Sequence, residues 1–272
     1  MCKRCIFCKI NSESSKSREH IIPESLGNLN HVLPVGVVCD ACNNYFSREV
    51  EKPFMELPGI ALLRAHEALP SKKGKVPASS AVLNGRYPVQ IRKTLSGPTK
   101  AIVDVPTEAF KEMLSRGGQV MLVLPMEGPI PDGPGVSRFM AKVAVEFMAQ
   151  RLLIRSELLD GFIDDQTIEP LRLHARRGQP RAWPVHRRRI SESSQQWSYE
   201  TNANTQMVHE SDFIFLDSGT LYFVLALFGM EYAINCAERE VNKYETWLES
   251  HGGVSPLYYG KNENPEGQPK RM

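Results

Sequence analysis

At 272 residues, with a net charge of +2 and 42% apolar residues, the chain has an ordinary globular composition and room for a small module beside a larger body. Such near-neutrality excludes a global basic field, so any contact with nucleic acid must come from local clusters. No run of eighteen apolar residues occurs, which excludes a membrane-spanning helix, and no apolar leader precedes the first cysteines, so the expected compartment is the reducing cytoplasm.

In a reducing compartment closely paired cysteines bind metal more often than they form disulfides. Cys5, Cys8, Cys39 and Cys42 form a C-x2-C-x30-C-x2-C pattern, two tight turns that each offer two thiolates to a tetrahedral structural zinc (Zn2+). Cys2 makes an offset pair with Cys5 but would be a fifth ligand, and Cys236 lies in the apolar run EYAINCAERE, where a small buried residue is expected. Between the pairs, REHIIP and HVLPVGVVC read as short strands. ACNNYFSREVEKPF reads as a helix, with Asp40 as its N-cap, Phe46, Val50 and Phe54 on one face, and Pro53 near its end. This ββα unit, residues 1–58, is too small to hold a core unaided, which is the physical reason for a zinc staple.

Residues 59–85 read as a short helix, PGIALLRAHEAL, and a basic loop-rich linker. The body, residues 86–262, begins with strands at PVQIRK and TKAIVDVP, a helix at TEAFKEMLSRG, a buried strand at QVMLVLP and a loop at MEGPIPDGPG. A long helix follows at VSRFMAKVAVEFMAQRLLIRSELL, with Phe139, Val143, Phe147 and Leu153 on an apolar stripe and Arg138, Lys142, Glu146 and Gln150 on a polar one. HESDFIFLDSGTLYFVLALFGMEYAINC reads as two or three strands with a hairpin at Ser218-Gly219, and residues 263–272 as a polar tail. The fold class expected is α+β, a zinc-bound N-terminal ββα module followed by a larger mixed body.

The cysteine pairs would bring Glu19-His20, on the first strand, opposite Asn43 and Asn44 at the helix start. A carboxylate, an imidazole and a carboxamide across a small cleft suit phosphodiester hydrolysis, in which oxygen ligands hold a divalent cation and a neutral imidazole takes a proton from water. C-x-x-C, then E-H-I-I-P-x-S-L-G, then V-C-x-x-C-N-N-x-F resembles the HNH endonucleases, the ββα-metal group, in a zinc-stapled version. That resemblance covers about one fifth of the chain. It implies His20 as general base and Glu19 and Asn43 as ligands of a catalytic Mg2+ or Mn2+. Two departures stand out: Glu19 replaces the more frequent Asp, and the family's middle Asn has no counterpart at the usual spacing, where Leu33-Pro34 stand. Asn28, Asn30 and His31 come too early for it, and Glu51 reads as a structural ion-pair partner or a solvent-exposed residue rather than a metal ligand.

The tract from Pro170 to Ile190 carries seven arginines and two histidines with no acidic residue. Arg binds phosphate bidentately, so Arg176, Arg177, Arg187, Arg188 and Arg189 are the candidate nucleic-acid contacts. The expected activity is a metal-dependent endonuclease acting on DNA, with RNA also admissible and a homodimer or a partner protein as open options for assembly. The alternative is a non-catalytic, zinc-dependent nucleic-acid-binding or regulatory protein.

Overall fold

The computed structural model describes residues 4–94, 101–125, 128–191, 196–198, 203–205, 209–216 and 219–258. Cys2, Ser218 of the expected hairpin and the tail 263–272 lie outside the described residues. The chain divides into two compact units, one of Met1–Pro23, Asn28–Phe54 and Asp132–Met272, the other of Glu24–Gly27 and Met55–Pro131.

In the first unit, strands β1 (Glu19–His20) and β2 (Val32–Leu33) pair antiparallel, with Glu19 opposite Leu33 and His20 opposite Val32. Helix α1 (Asp40–Phe46) widens into a π-helical turn (Ser47–Glu51) and continues as α2 (Lys52–Met55). Phe46, Val50 and Phe54 are all buried, as their spacing requires. One detail differs from the sequence-based expectation: Cys39, not Asp40, caps the helix, because its sulfur accepts the Cys42 N–H at 3.4 Å. Pro53 lies near the helix end as expected: in the π turn before it, the Lys52 N–H reaches back to Ser47 O, and the chain stays helical to Met55.

The second unit carries α3 (Pro58–His66), β3 (Ser79–Leu83), β4 (Tyr87–Lys93), β5 (Ala101–Asp104), α4 (Thr107–Ser115) and β6 (Leu122–Val123). Its sheet has the order β5-β4-β3-β6 and packs Ala81, Leu83, Val89 and Ile91 against Ala109 of α4. The expected linker thus contains a strand, β3, whose alternating burial shows the period of two. QVMLVLP, expected to be a buried strand, is a two-residue edge strand with Met121 and Val123 exposed, since it pairs on one side only.

The remainder of the first unit is α5 (Pro134–Leu152), α6 (Ser156–Asp164), α7 (Glu169–Arg177), β7 (Val185–Arg189), the small hairpin β8 (Gln196–Ser198) and β9 (Ala203–Thr205), β10 (His209–Phe215), β11 (Leu221–Leu227), β12 (Met230–Asn235) and α8 (Asn242–Ser250). Strands β10, β11, β12 and β7 form an antiparallel sheet in that order. The unbroken apolar run of β11 follows from burial on both faces. Tyr222, Val224 and Ala226 pack with Tyr244 and Leu248 of α8, while Phe223 meets Phe147 of α5 at 5.5 Å. Helix α5 is the central element of the unit, and every residue from Phe139 to Ala149 is buried. The polar stripe expected on it is therefore absent over that stretch, and Lys142 and Glu146 are wholly buried. Among the described residues, no helix is long and apolar enough to cross a membrane.

Candidate active site

The first knuckle is closed by backbone bonds, Cys5 N–H to Ile10 O and Lys9 N–H to Cys5 O, both at 2.9 Å, with Lys9 in the left-handed region at φ 61°. The second is the start of α1, where the Cys39 N–H also donates to Cys5 Sγ at 3.3 Å. Together they bring the sulfurs of Cys5, Cys8, Cys39 and Cys42 within 4.8 Å of one another, with Cys8 and Cys39 at 3.6 Å. A tetrahedral zinc with bonds of about 2.3 Å needs sulfur separations of roughly 3.8 Å. The four cysteines therefore form a cage that fits a structural zinc.

Electrostatics points the same way. A hydrogen bond from Cys42 pulls the Cys5 thiol down to about 5, burial pushes Cys8 up to about 11, and the same bond to Cys5 drives Cys42 upward. Without a cation these interactions favour the Cys5 thiolate at the expense of Cys8 and Cys42, an imbalance that a bound dication would offset.

The helix start also holds the strand that carries His20. Asp40 accepts the backbone N–H groups of Lys16 at 3.1 Å and Ser17 at 2.9 Å, together with the Ser17 hydroxyl, which holds its carboxyl below the usual range. Three residues on, Asn43 Nδ2 donates to Arg18 O at 3.0 Å. Two residues of the first helical turn thus fix residues 16–18, immediately ahead of Glu19-His20.

Successive strand residues face opposite ways, and Glu19 and His20 differ accordingly. His20 is half-buried. Glu19 is only 3% exposed and turns inward, its Oε1 lying 2.7 Å from Lys142 Nζ. The same ammonium meets Glu51 at 2.7 Å and Glu146 at 3.0 Å, so one lysine is shared by three carboxylates. Of the two roles its sequence context left open, Glu51 takes the ion pair and is buried, not solvent-exposed. Burial alone would favour a neutral amine at Lys142, but the charges of Glu146, Glu19 and Glu51 hold its pKa well above the ordinary lysine value. Burial holds Glu146 well above the usual carboxylate range.

Asn28, too early to be the family's middle asparagine, has a different position. It is fully buried, and its Nδ2 donates to Ile22 O at 2.6 Å and His31 O at 2.9 Å. Its Oδ1 accepts from the N–H groups of Asn30 and His31. One carboxamide thereby ties the exit of β1 to the entry of β2. Sequence reasoning missed this role, and it missed Lys142 and Glu146. The available signal was the run AKVAVEFMA, in which two lone charges interrupt an otherwise apolar stretch.

The candidate arginines lie on two elements, α7 and β7. Arg187, Arg188 and Arg189 lie on β7, where alternation sends Arg188 to one face and its neighbours to the other. Arg188 Nε is paired with Glu231 at 2.6 Å, and Arg187 with Asp132 at 2.6 Å. Arg176 and Arg177 end α7, and Arg176 lies close enough to Cys42 for its charge to favour the thiolate.

Residues 5–57 match the family model described as HNH endonuclease. No curated protein and no solved structure matches the chain. The family match spans both cysteine pairs, both strands and the helix, and stops before the second unit's α3.

Proposed function

We propose that the protein is a metal-dependent HNH endonuclease that hydrolyses phosphodiester bonds in DNA, with His20 as general base. The observation that carries this reading is the tethering of the His20 strand to the first turn of α1, by Asp40 and Asn43, inside the cysteine-caged segment that matches the family. A structural staple would need the four cysteines but not this pairing of strand and helix start.

The donor set fits a hard divalent cation such as Mg2+ or Mn2+. With its nitrogen committed to Arg18 O, Asn43 presents Oδ1, whereas Glu19 is turned inward to Lys142 and would have to give up part of that pair to add a carboxylate. Lys142 opposes a dication there, and three carboxylates share that one ammonium. When bound, such a cation stabilises charge on the scissile phosphate and the leaving oxygen. The chain's own contribution is His20, which accepts a proton from the attacking water. Arg176, whose charge reaches Cys42 at the start of the helix that bears Asn43, is the arginine proposed to hold a phosphate backbone, with Arg177 next to it in sequence. The test is incubation of the zinc-loaded protein with plasmid, single-stranded DNA and RNA in Mg2+ or Mn2+. Cleavage of DNA is the expected result, and no cleavage of any substrate in either metal overturns the reading.

A second reading has one observation in its favour. The buried ion pair of Glu19 with Lys142 is also what a purely structural glutamate would make, as in a non-catalytic zinc-dependent nucleic-acid-binding protein. Binding without cleavage would be its signature.

A further inference from the structure

We infer that Lys142, which lies far outside the family-matched segment, is the positioning residue for His20. Helix α5 threads an ammonium under the strand, in addition to the ties that Asn28 makes between the exit of β1 and the entry of β2. Lys142 Nζ donates to His20 O at 3.1 Å and to Ile21 O at 3.2 Å, in addition to its pairs with Glu19, Glu51 and Glu146. One wholly buried group therefore holds the carbonyl of the base, the carbonyl after it and the side chain before it.

The arrangement suits this task physically. A strand of two residues paired to another of two has little stiffness of its own. Hydrogen bonds from a charged donor are about twice as strong as neutral ones, and inside a dry core their geometry is well defined. Helix α5 is itself immobilised by burial on all sides from Phe139 to Ala149. The consequence is that the ββα module and α5 form one working unit, in which the body fixes the orientation of the reacting histidine. The inference rests on the nuclease reading for its catalytic meaning but not for its structural content, and the two can fail separately.

The experiment uses the full zinc-loaded chain and two variants. Lys142→Met removes the ammonium and strands three carboxylates. The triple variant Lys142→Met/Glu51→Gln/Glu146→Gln removes the ammonium while neutralising two of them, and so keeps the protein folded if the single variant is not. Amide hydrogen exchange reads the strand directly, because the Ile21 N–H donates to His31 O at 3.0 Å only while β1 is held. The expected result is faster exchange at Ile21 by tenfold or more, with the Cys39 and Cys42 amides and the zinc content unchanged. Cleavage should fall by about 10²-fold in kcat, the scale of a misplaced catalytic group, with KM for DNA unchanged. Unchanged exchange at Ile21, or exchange that rises uniformly through the chain, overturns the inference. A wild-type protein that cleaves nothing, with Ile21 still selectively released in the variants, removes the nuclease reading and leaves the clamp standing.

Discussion

Replacing Phe139 by alanine should weaken the seat of the zinc module by an amount that the neighbouring ring makes predictable. Phe54, at the end of the module's helical segment, stacks on Phe139 of α5 with centroids 3.9 Å apart and planes 4° from parallel, and both rings are at most 1% exposed. Truncating a buried phenylalanine costs about 3–5 kcal/mol, against a total stability of about 5–15 kcal/mol for a typical protein. The double variant should cost less than the sum of the singles, because each truncation already strips the other ring of its partner. Stacked rings contribute about 0.5–1.5 kcal/mol beyond area, and shared cavity relaxation adds to that, so a coupling energy of about 1–2 kcal/mol is expected. The assay is urea denaturation of wild type, Phe54→Ala, Phe139→Ala and the double variant, all with zinc bound. Phe139 lies three residues before Lys142, so the single variant should also slow cleavage. Additive costs, within about 0.5 kcal/mol, would mean that the rings do not touch and that α5 does not support the module as described.

Two further outcomes are expected. Cys39→Ser should lose bound zinc, measured by elemental analysis, and lower Tm, whereas Cys236→Ser should keep a full complement; a Cys39→Ser protein with one zinc per chain would contradict the cage. His209, whose ring lies 5.2 Å from His31, is held down to about 4 by burial and by His31, so it stays neutral when folded. The unfolded imidazole protonates near pH 6.5, so between about pH 6.5 and 4 the unfolded state binds the extra proton and stability falls with pH. His209→Gln should flatten that fall in urea midpoints taken at pH 7 and pH 5, and an unaltered slope would show that His209 does not cause it.

What could be read from the sequence was what depends on local spacing. Cys5, Cys8, Cys39 and Cys42 sit in short turns, so their convergence follows from the two pairs and the chain between them. Phe46, Val50 and Phe54 bury one face because the helical period does not need to know its partner. Lys142 could not be placed this way. Its partners Glu19 and Glu51 are about a hundred residues distant, and an i, i+4 Lys-Glu pair is the ordinary mark of a solvated face. QVMLVLP misled for a related reason, since an apolar run has the same pattern at a sheet centre or at an edge. The three arginines of β7 read as one patch in a line of letters, but pleating separates them.

The most direct test is to compare wild type with His20→Ala for cleavage of plasmid DNA in Mg2+ or Mn2+, with zinc content and melting measured on the same samples. The expected result is cleavage by wild type and its loss in His20→Ala, which keeps its zinc and its Tm because the cysteine cage and the Lys142 contacts to backbone carbonyls do not need the imidazole. Equal cleavage by His20→Ala would contradict the assignment of His20 as the base.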